Sequence, residues 1–422
     1  FTNGEVVVVY GEAGTGKTTT VKRVTHDLAL SGTTVLSVCT NSRIDTETAK
    51  ECLKHISTKV LLLVDGIADH VEQIVELLEE PNVVSKTLVL GTERSYRRGY
   101  LDVVFGNAGF TIHNLRKLSA EECEQLLERY RRFGLVGEHD AIQNPSRFAR
   151  QLIGDPVAIA VCRIMNDFRP LERIIASLWE ASMPDDRLAY LCVALSEHCH
   201  KVGIRYSVLQ AIAGPKAPIR HLFGPEKPLS LTESPVNDDY VLAANSIVAE
   251  SVLLRAARSA PETLFSAFEA TAKVLAPHVN RKAIMRRSPE ARLAGRLFDY
   301  DKIVRPLLGD SAERFYVSVQ SRWEWNSRYW EQRALLTAET DLQAAIQYAR
   351  HAVAIELHPF SLTTLAKLLL LEMEADPAKF ASAYSEAFDR LTQAIEKESR
   401  RSRITVHPFA TLLTGTARYL EL

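Results

Sequence analysis

A run of four valines near the start of the chain ends in a glycine-rich loop. The valines at positions 6–9 are β-branched and predict a strand of a parallel sheet that is buried on both faces. The loop that follows reads Gly11-x-x-x-x-Gly16-Lys17-Thr18, which is the spacing of a phosphate-binding P-loop. In such a loop the glycines let backbone N–H groups converge on phosphate oxygens, the lysine reaches the β and γ phosphates, and the hydroxyl binds Mg²⁺. This stretch therefore predicts a site for ATP or ADP with Mg²⁺.

The predicted contacts to the nucleotide begin with the loop itself. Backbone groups of the loop and the side chains of Lys17 and Thr18 would surround the phosphates, and the following helix would add its positive N-terminal end. The expected nucleotide-binding residues of the loop are Gly11, Glu12, Ala13, Gly14, Thr15, Gly16, Lys17, Thr18 and Thr19. Lys17 is also expected to take part in catalysis.

Residues 1–113 alternate strand patterns with helical patterns, which indicates an α/β domain built on a parallel sheet. Strands are expected at residues 6–9, 33–39, 59–65, 87–91 and, more weakly, 110–114. Helices are expected at residues 19–30, 46–56 and 71–80, the last of which is ended by Pro81.

An acid closes the third predicted strand. Asp65 follows a run of apolar residues, and an acid at this place holds Mg²⁺ opposite Thr18, directly or through water. The alternative is an acid that only caps the next helix. The next residue is Gly66, so the carboxylate that commonly follows such an acid is absent, and Asp69 is the nearest other acid. We therefore expect ATP hydrolysis to be slow or conditional.

The fourth predicted strand leads into small polar residues and an arginine. Arg94 is placed to reach the γ-phosphate and to report its presence, so we assign it a catalytic or sensing role. A solvated basic loop is the alternative for Arg94 and the favoured interpretation for Arg97 and Arg98.

From about residue 114 the pattern becomes helical. Ser119 and Glu122 have the spacing of a capping box and predict a helix that runs to about Arg132. Shorter helices are expected within residues 114–182, at 147–152, 156–165 and 171–179. Residues 183–258 then show helices at 187–196, 208–213 and 219–223, followed by strands at 229–233 and 240–243. This helix–helix–helix–wing order fits a winged-helix module.

The remainder of the chain is predicted to be helical, with a linker at residues 259–310 and repeats at residues 311–422. Two segments of the repeats resemble one another: Ala345, Ala349 and Ala352 recur as Ala387, Leu391 and Ala394, and His358-Pro359-Phe360 recurs as His407-Pro408-Phe409. Small residues where two helices cross, with proline at the turn, are typical of tetratricopeptide-like (TPR-like) repeats, and Tyr329-Trp330 lies where the aromatic of a first helix belongs. An irregular α-solenoid is the alternative.

Composition sets wide limits on function. The chain has 422 residues, a formal net charge of −1 and 24% charged residues, so nothing demands a nucleic acid or a membrane surface as partner. The six cysteines form no CxxC pair, which predicts reduced core residues of a cytoplasmic protein and no zinc site. No apolar run approaches the roughly 20 residues of a membrane span.

The order of these features resembles the STAND class of P-loop NTPases, which includes NACHT and NB-ARC proteins of immune signalling and bacterial regulators and antiphage sensors. The features are the P-loop, Asp65-Gly66, Arg94, a helical segment that reaches Gly154-Asp155-Pro156, and then a winged helix. The resemblance implies that Pro156 packs near the adenine. Many relatives carry a histidine of the winged helix that contacts the β-phosphate of ADP, and the matching residue here is Asn245. Pro156 and Asn245 thus join the expected nucleotide-binding residues, while Thr18 and Asp65 are the expected Mg²⁺ ligands.

What the resemblance implies is a signalling switch rather than an enzyme of rapid turnover. The C-terminal repeats would bind a protein trigger, and exchange of ADP for ATP would open the protein and lead to a homo-oligomer. Because the chain begins at Phe1 only a few residues before the first strand, we expect it to be a fragment that lacks its N-terminal part. The resemblance implies that this part is an effector domain and that the protein serves bacterial antiphage immunity.

Two other classes of protein remain open at this point. The first is a DNA-binding ATPase or transcription regulator that uses the winged helix, which would need a basic recognition helix. The candidate, residues 217–223, carries only Arg220 and His221, which is too little charge to follow a phosphate backbone, so we expect no nucleic-acid partner. The second is a helical-repeat scaffold with a vestigial P-loop.

Overall fold

A computed structural model describes residues 4–12, 14–38, 44–105, 110–136, 144–214, 219–224, 227–234, 239–399 and 407–421. The chain forms two compact units. The first contains Phe1–Tyr190 and Arg220–Val252, and the second contains Leu191–Ile219 and Leu253–Leu422.

The first unit is built around a parallel sheet of five strands. The strands are β1 (Val6–Gly11), β2 (Thr34–Ser37), β3 (Val60–Asp65), β4 (Thr87–Arg94) and β5 (Thr111–Asn114). Their order across the sheet is β2-β3-β4-β1-β5, and all neighbouring pairs are parallel. The α/β domain predicted for the N-terminal part of the chain is therefore confirmed.

Helices cover both faces of this sheet. They are α1 (Lys17–Leu30), α2 (Thr46–His55), α3 (Val71–Leu78), α4 (Pro81–Val84) and α5 (Arg98–Phe105). Val8 and Tyr10 of β1 pack into one apolar cluster, whereas Val9 packs into a second cluster with Val21 of α1. A strand buried on both faces explains the unbroken valine run.

The end of β4 and the segment that follows it differ from prediction. The strand β4 continues to Arg94, beyond the predicted end at residue 91. The segment after it was predicted to be a basic loop, but it forms a 3₁₀ turn (Ser95–Arg97) and then α5. Apolar Leu101 and Phe105 of α5 are buried in the core, and their burial favours a helix that the arginines alone do not signal.

A helical segment follows the sheet. It consists of α6 (Ala120–Arg132), α7 (Pro145–Arg150), α8 (Val157–Met165), α9 (Leu171–Ala181) and α10 (Pro184–Cys199). The predicted capping box of α6 is confirmed, because Ser119 Oγ accepts from the N–H of Glu122 and the Glu122 carboxylate accepts from the N–H of Ser119. Pro156 is the N-cap of α8, one residue before the helical position predicted for it.

The region predicted to be a winged helix contains short elements. They are β6 (Ile204–Arg205), which was not predicted, α11 (Tyr206–Ala213), β7 (Leu231–Glu233) and β8 (Tyr240–Ala243). β7 and β8 pair antiparallel, with Leu231 opposite Ala243. The predicted helix at 219–223 is instead a single 3₁₀ turn, Ile219–Leu222. Residues 215–218 and 235–238, which include parts of the recognition segment and of the wing, lie outside the described residues.

From Ser246 onward the described chain is helical, as predicted. The helices are α12 (Ser246–Ser259), α13 (Pro261–Leu275), α14 (Arg281–Met285), α15 (Pro289–Leu297), a π-helical turn (Tyr300–Val304), α16 (Arg305–Leu308), α17 (Ala312–Trp323), α18 (Ser327–Thr337), α19 (Leu342–Ile355), α20 (Pro359–Ala375), α21 (Phe380–Ser399) and α22 (His407–Glu421).

The residues that suggested repeats lie at equivalent places. Five of the six small or apolar repeat positions are alanines, and all six are buried: Ala345, Ala349, Ala352, Ala387, Leu391 and Ala394. The two His-Pro-Phe sequences each begin a helix, α20 and α22. His358 is the N-cap of α20, and its Nδ1 accepts from the N–H of Phe360.

Among the described residues, no helix is long and apolar enough to cross a membrane. Cys123, Cys162, Cys192 and Cys199 are buried and Cys52 is exposed, and all five carry free thiols. Burial raises the pKa of Cys192 to about 12, so this thiol stays protonated and behaves as a core residue.

Candidate nucleotide-binding site

The P-loop connects β1 to α1 at the carboxyl edge of the sheet. Gly16 is the N-cap of α1 and has a left-handed backbone, and a side chain added there would meet no atom within 4 Å. Lys17 is buried, and its Nζ donates to the carbonyl oxygens of Gly11 at 3.0 Å and Glu12 at 2.6 Å. The loop thus holds a buried cation at its centre, beside open space, as a phosphate cradle requires.

Thr18 and Asp65 meet across the sheet edge. The Thr18 hydroxyl lies 3.4 Å from both carboxylate oxygens of Asp65. Thr92 of β4 stands opposite Asp65 in the strand register, and its hydroxyl donates to Asp65 Oδ1. Hydroxyl and carboxylate oxygens are the ligands that Mg²⁺ prefers, so the donor set fits the predicted metal. Thr92 was not predicted, because only the pairing of β3 with β4 brings it here.

Gly66 explains why no second carboxylate follows Asp65. Its φ is +73° and its ψ is 53°, a left-handed conformation that favours glycine over residues with a side chain. Its N–H donates to the Thr92 carbonyl at 3.0 Å. A glutamate at this position would therefore be strained.

The two other acids near Asp65 are both engaged. Glu93 is buried, and its carboxylate accepts from the N–H groups of Arg94 at 2.8 Å and Ala68 at 3.0 Å. Asp69 pairs with Arg97 at 2.8 Å, and the same guanidinium reaches Glu93 at 3.4 Å. These carboxylates hold the turns after β3 and β4 together.

Three arginines at the end of β4 and just after it differ in their surroundings. Arg94 pairs with Gly11 in the ladder between β4 and β1, and its guanidinium has no hydrogen-bond or ion-pair partner among the described residues. Arg97 is in the ion pairs just described, so the prediction of a solvated side chain is wrong for it. Arg98 begins α5, is half exposed, and pairs with Asp102 at 3.7 Å.

Pro156 and the P-loop are adjacent. The N–H of Ala158, in the first turn of α8, donates to the carbonyl of Gly14 at 3.0 Å. A methyl group added to Gly14 would lie 3.5 Å from the Cβ of Ala158. The helix that begins after Pro156 is therefore hydrogen-bonded to the loop.

Asn245 lies in the same region, but its side chain serves its own helix. Its Oδ1 accepts from the N–H groups of Ile247 at 3.0 Å and Val248 at 3.3 Å, so it is the N-cap of α12. Ile247 is buried against the P-loop, because a methyl group on Gly14 would overlap Ile247 Cδ1. Ile247 was not predicted, and only the fold identifies it.

A cavity of about 520 Å³ adjoins the loop. It is lined by Glu12, Thr15, Ser95, Asn114, Leu115, Arg116, Lys117, Leu118, Ile153 and Gly154. Lys117 pairs with Glu12 at 3.6 Å, and both side chains are more than half exposed. Arg116 and Lys117 add positive charge beside the loop, which sequence motifs did not indicate.

The remaining predicted loop residues have mixed surroundings. Thr15 is buried and its hydroxyl donates to the Glu12 carbonyl at 3.0 Å. Thr19 is exposed on α1, and Ala13 lies outside the described residues. The structure therefore brings together Gly11, Gly14, Lys17, Thr18 and Asp65 at the loop, with the backbone of Arg94 paired to Gly11. Pro156 and Asn245 each lie two residues before a residue that contacts Gly14, Ala158 and Ile247 respectively.

Comparison with known proteins supports a P-loop nucleotide site in the N-terminal part of the chain. Residues 2–100 match the family model described as novel STAND NTPase 5. No curated protein matches the chain. Among solved structures, the AMPPCP-bound DnaA from Aquifex aeolicus aligns with 14% identity over 64% of this chain and 78% of that chain, with a TM-score of 0.29. A similarity this low carries no further conclusion. The sheet region, residues 2–100, is thus similar to the STAND-class P-loop NTPases, and the contacts around Lys17, Thr18 and Asp65 agree with a P-loop site.

Proposed function

We propose that this STAND-class P-loop NTPase is a signal-transducing switch controlled by exchange of ADP for ATP. Its parts would be an NTPase domain, a small helical domain, a winged helix, a helical linker and TPR-like sensor repeats, at residues 1–113, 114–182, 183–258, 259–310 and 311–422.

The residues of the site have distinct roles in this proposal. The P-loop backbone and Lys17 bind the phosphates, and Thr18 and Asp65 hold Mg²⁺, with Thr92 fixing the orientation of the Asp65 carboxylate. Mg²⁺, when bound, would neutralise phosphate charge. The backbone of Arg94 pairs with Gly11, and its guanidinium has no partner among the described residues, so we assign it the contact to a γ-phosphate that ADP lacks.

Slow turnover follows from the acids around the site. Glu93 accepts two backbone N–H groups and an arginine, and Asp69 is paired with Arg97, so each carboxylate already has strong partners. Using either as a general base would require breaking those bonds. We therefore assign the site to sensing the nucleotide rather than to rapid hydrolysis.

The observation that carries the proposal is the contact of Gly14 with two distant helices. Its carbonyl accepts from Ala158 of α8, and Ile247 of α12 packs directly on it. A change in loop conformation on exchange of the nucleotide would alter both contacts, since packed interiors tolerate little displacement. Nucleotide state would then bias the position of the winged helix, and a ligand can shift such an equilibrium only by its different affinity for the two states.

The remaining steps extend the proposal to signalling. A protein trigger would bind the C-terminal repeats, the open ATP form would assemble into a homo-oligomer in the cytoplasm, and clustering would activate an N-terminal effector outside this chain. Antiphage defence is the setting that fits this arrangement best. The DNA-binding alternative gains no support, because His221 of the recognition segment bonds to Asp186 at 2.6 Å and leaves Arg220 as its single exposed cation.

The test is the mass of the full-length protein by light scattering, with ADP and with ATP and Mg²⁺, each with and without trigger. We expect an oligomer with ATP and trigger and a monomer with ADP. Lys17→Ala should abolish assembly, whereas Lys22→Ala, an exposed lysine of the same helix, should not. A protein that stays monomeric with ATP while the trigger is bound contradicts the proposal.

A further inference from the structure

A second cavity lies in the helical unit, far along the chain from the P-loop. It has a volume of about 470 Å³ and is lined by Val279, Asn280, Arg281, Lys282 and Trp325. We call this cavity, together with the adjoining Arg286, the Trp325 surface.

Trp325 is held in place by its neighbours. Its Nε1 donates to the Arg322 carbonyl at 3.2 Å, and its ring stacks on Trp323 with centroids 6.4 Å apart and planes 19° apart. Trp323 is itself fully buried and donates to the Ala272 carbonyl at 3.0 Å. The half-buried Trp325 ring is therefore a rigid wall of the cavity, and a rigid aromatic loses little entropy on binding.

Positively charged residues line the same cavity. Asn280 caps α14, with its Oδ1 accepting from the Ala283 N–H at 2.9 Å, and so places Arg281 and Lys282 in the first turn. Residues 278–287 include four arginines and lysines and no acid, although the whole chain carries a net charge of −1. Within the described part of the chain, Arg281, Lys282 and Arg286 form no ion pair or side-chain hydrogen bond, and all three are exposed.

Apolar groups accompany these cations. Val279 lines the cavity, and Met285 is 83% exposed beside Arg286. Glu324, next to Trp325 in sequence, is an exposed acid. An open cavity that combines Val279 and Trp325 with cations that have no partner among the described residues suits a ligand that presents an apolar side chain among carboxylates.

We propose that the Trp325 surface binds an acidic protein segment that inserts an apolar side chain against Trp325. This inference rests on the proposed function, because it assigns the class of protein that acts as trigger. Arginine and tryptophan dominate the energetics of many protein interfaces, and unpaired cations steer an acidic partner. The sequence alone does not indicate this surface, because Trp325 lies more than 40 residues from Arg281.

The experiment uses a fluorescein-labelled peptide of glutamates with one central phenylalanine, titrated with the full chain and followed by anisotropy. We expect saturable binding that weakens with salt, and a loss of about tenfold in affinity in the double variant Arg281→Glu/Lys282→Glu, because each reversal repels a carboxylate. Trp325→Ala should weaken binding by a similar factor. The matched control, Arg258→Glu/Lys302→Glu, reverses two exposed cations outside the surface and should bind like the original protein.

Several outcomes would overturn the inference. One is no saturable binding, and another is equal affinity in the charge-reversal variant, whose exposed positions keep the fold intact. A third is binding of oligo(dT) through the same residues without binding of the peptide, which would make this a nucleic-acid surface. Nucleotide exchange measured in parallel separates the two proposals: a peptide that binds to a protein indifferent to its nucleotide keeps the surface and contradicts the switch.

Discussion

Ile247, in the first turn of α12, packs directly on Gly14 of the P-loop. The contact is so close that Gly14 has no room for a methyl group, and the same glycine accepts a hydrogen bond from Ala158 of α8. One residue of the phosphate-binding loop therefore touches two helices that follow it by more than 140 residues. Through these two contacts, a displacement of the loop would act on α8 and α12.

Ile247→Ala is expected to loosen the hold of α12 on the loop. Loss of the buried side chain removes the packing on Gly14, so release of bound ADP should accelerate by about tenfold, which corresponds to about 1.4 kcal/mol. Release is measured with fluorescently labelled ADP. Val252→Ala, also buried on α12 but five residues further along, is the matched control. Equal release rates in the two variants would show that the packing of Ile247 on Gly14 does not slow the release of ADP.

Asp65→Asn is expected to separate metal binding from nucleotide binding. The amide keeps the size of the side chain and can still bond to Thr92, but it loses the anionic oxygens offered to Mg²⁺. The Mg²⁺-dependent part of ATP affinity should fall by about tenfold or more, and affinity without Mg²⁺ should remain. Calorimetric titration with and without Mg²⁺ measures both. An unchanged response to Mg²⁺ would mean that Asp65 only caps the turn that follows β3.

Gly66→Ala is expected to lower the free energy of unfolding by about 1–2 kcal/mol, because φ at this position is +73°. Gly99→Ala is the natural comparison. Gly99 lies within α5 and has open space around it, so alanine should raise the free energy of unfolding by about 0.5–1 kcal/mol. Denaturant titrations compare the two variants, and equal effects would argue against the left-handed turn after Asp65.

Glu372 is expected to make the helical unit sensitive to acid. Burial raises the pKa of its carboxyl, but bonds from Lys379 and Gln343 outweigh burial and hold the pKa below its usual value. A lowered pKa in the folded state contributes stability that is present above the unfolded pKa and is lost as pH falls through the folded pKa. The fall in melting temperature between about pH 7 and pH 3.5 should therefore be smaller for Glu372→Gln than for the original protein. Glu374→Gln, an exposed neighbour, should melt like the original protein, and parallel curves for all three would contradict this assignment.

Local motifs account for the predictions that are confirmed. The five strands and the capping box at Ser119 depend on residues close in sequence, so periodicity and spacing locate them. Thr92, Ile247 and Trp325 could not be predicted in the same way. Each acquires its role from a residue far away in the chain, through strand register or helix packing, and nothing in its immediate neighbourhood signals that partner. The helix α5, which contains Leu101 and Phe105, was not predicted, because the arginines before these residues favoured a loop.

The most direct test of the switch is amide hydrogen exchange in the first turn of α12, where the N–H groups of Ile247 and Val248 bond to Asn245. Exchange is compared for the protein with ADP and with a non-hydrolysable ATP analogue, both with Mg²⁺. We expect slow exchange with ADP and faster exchange with the analogue, because Ile247 would leave Gly14. Identical exchange in the two states, with both nucleotides shown to be bound, would contradict it.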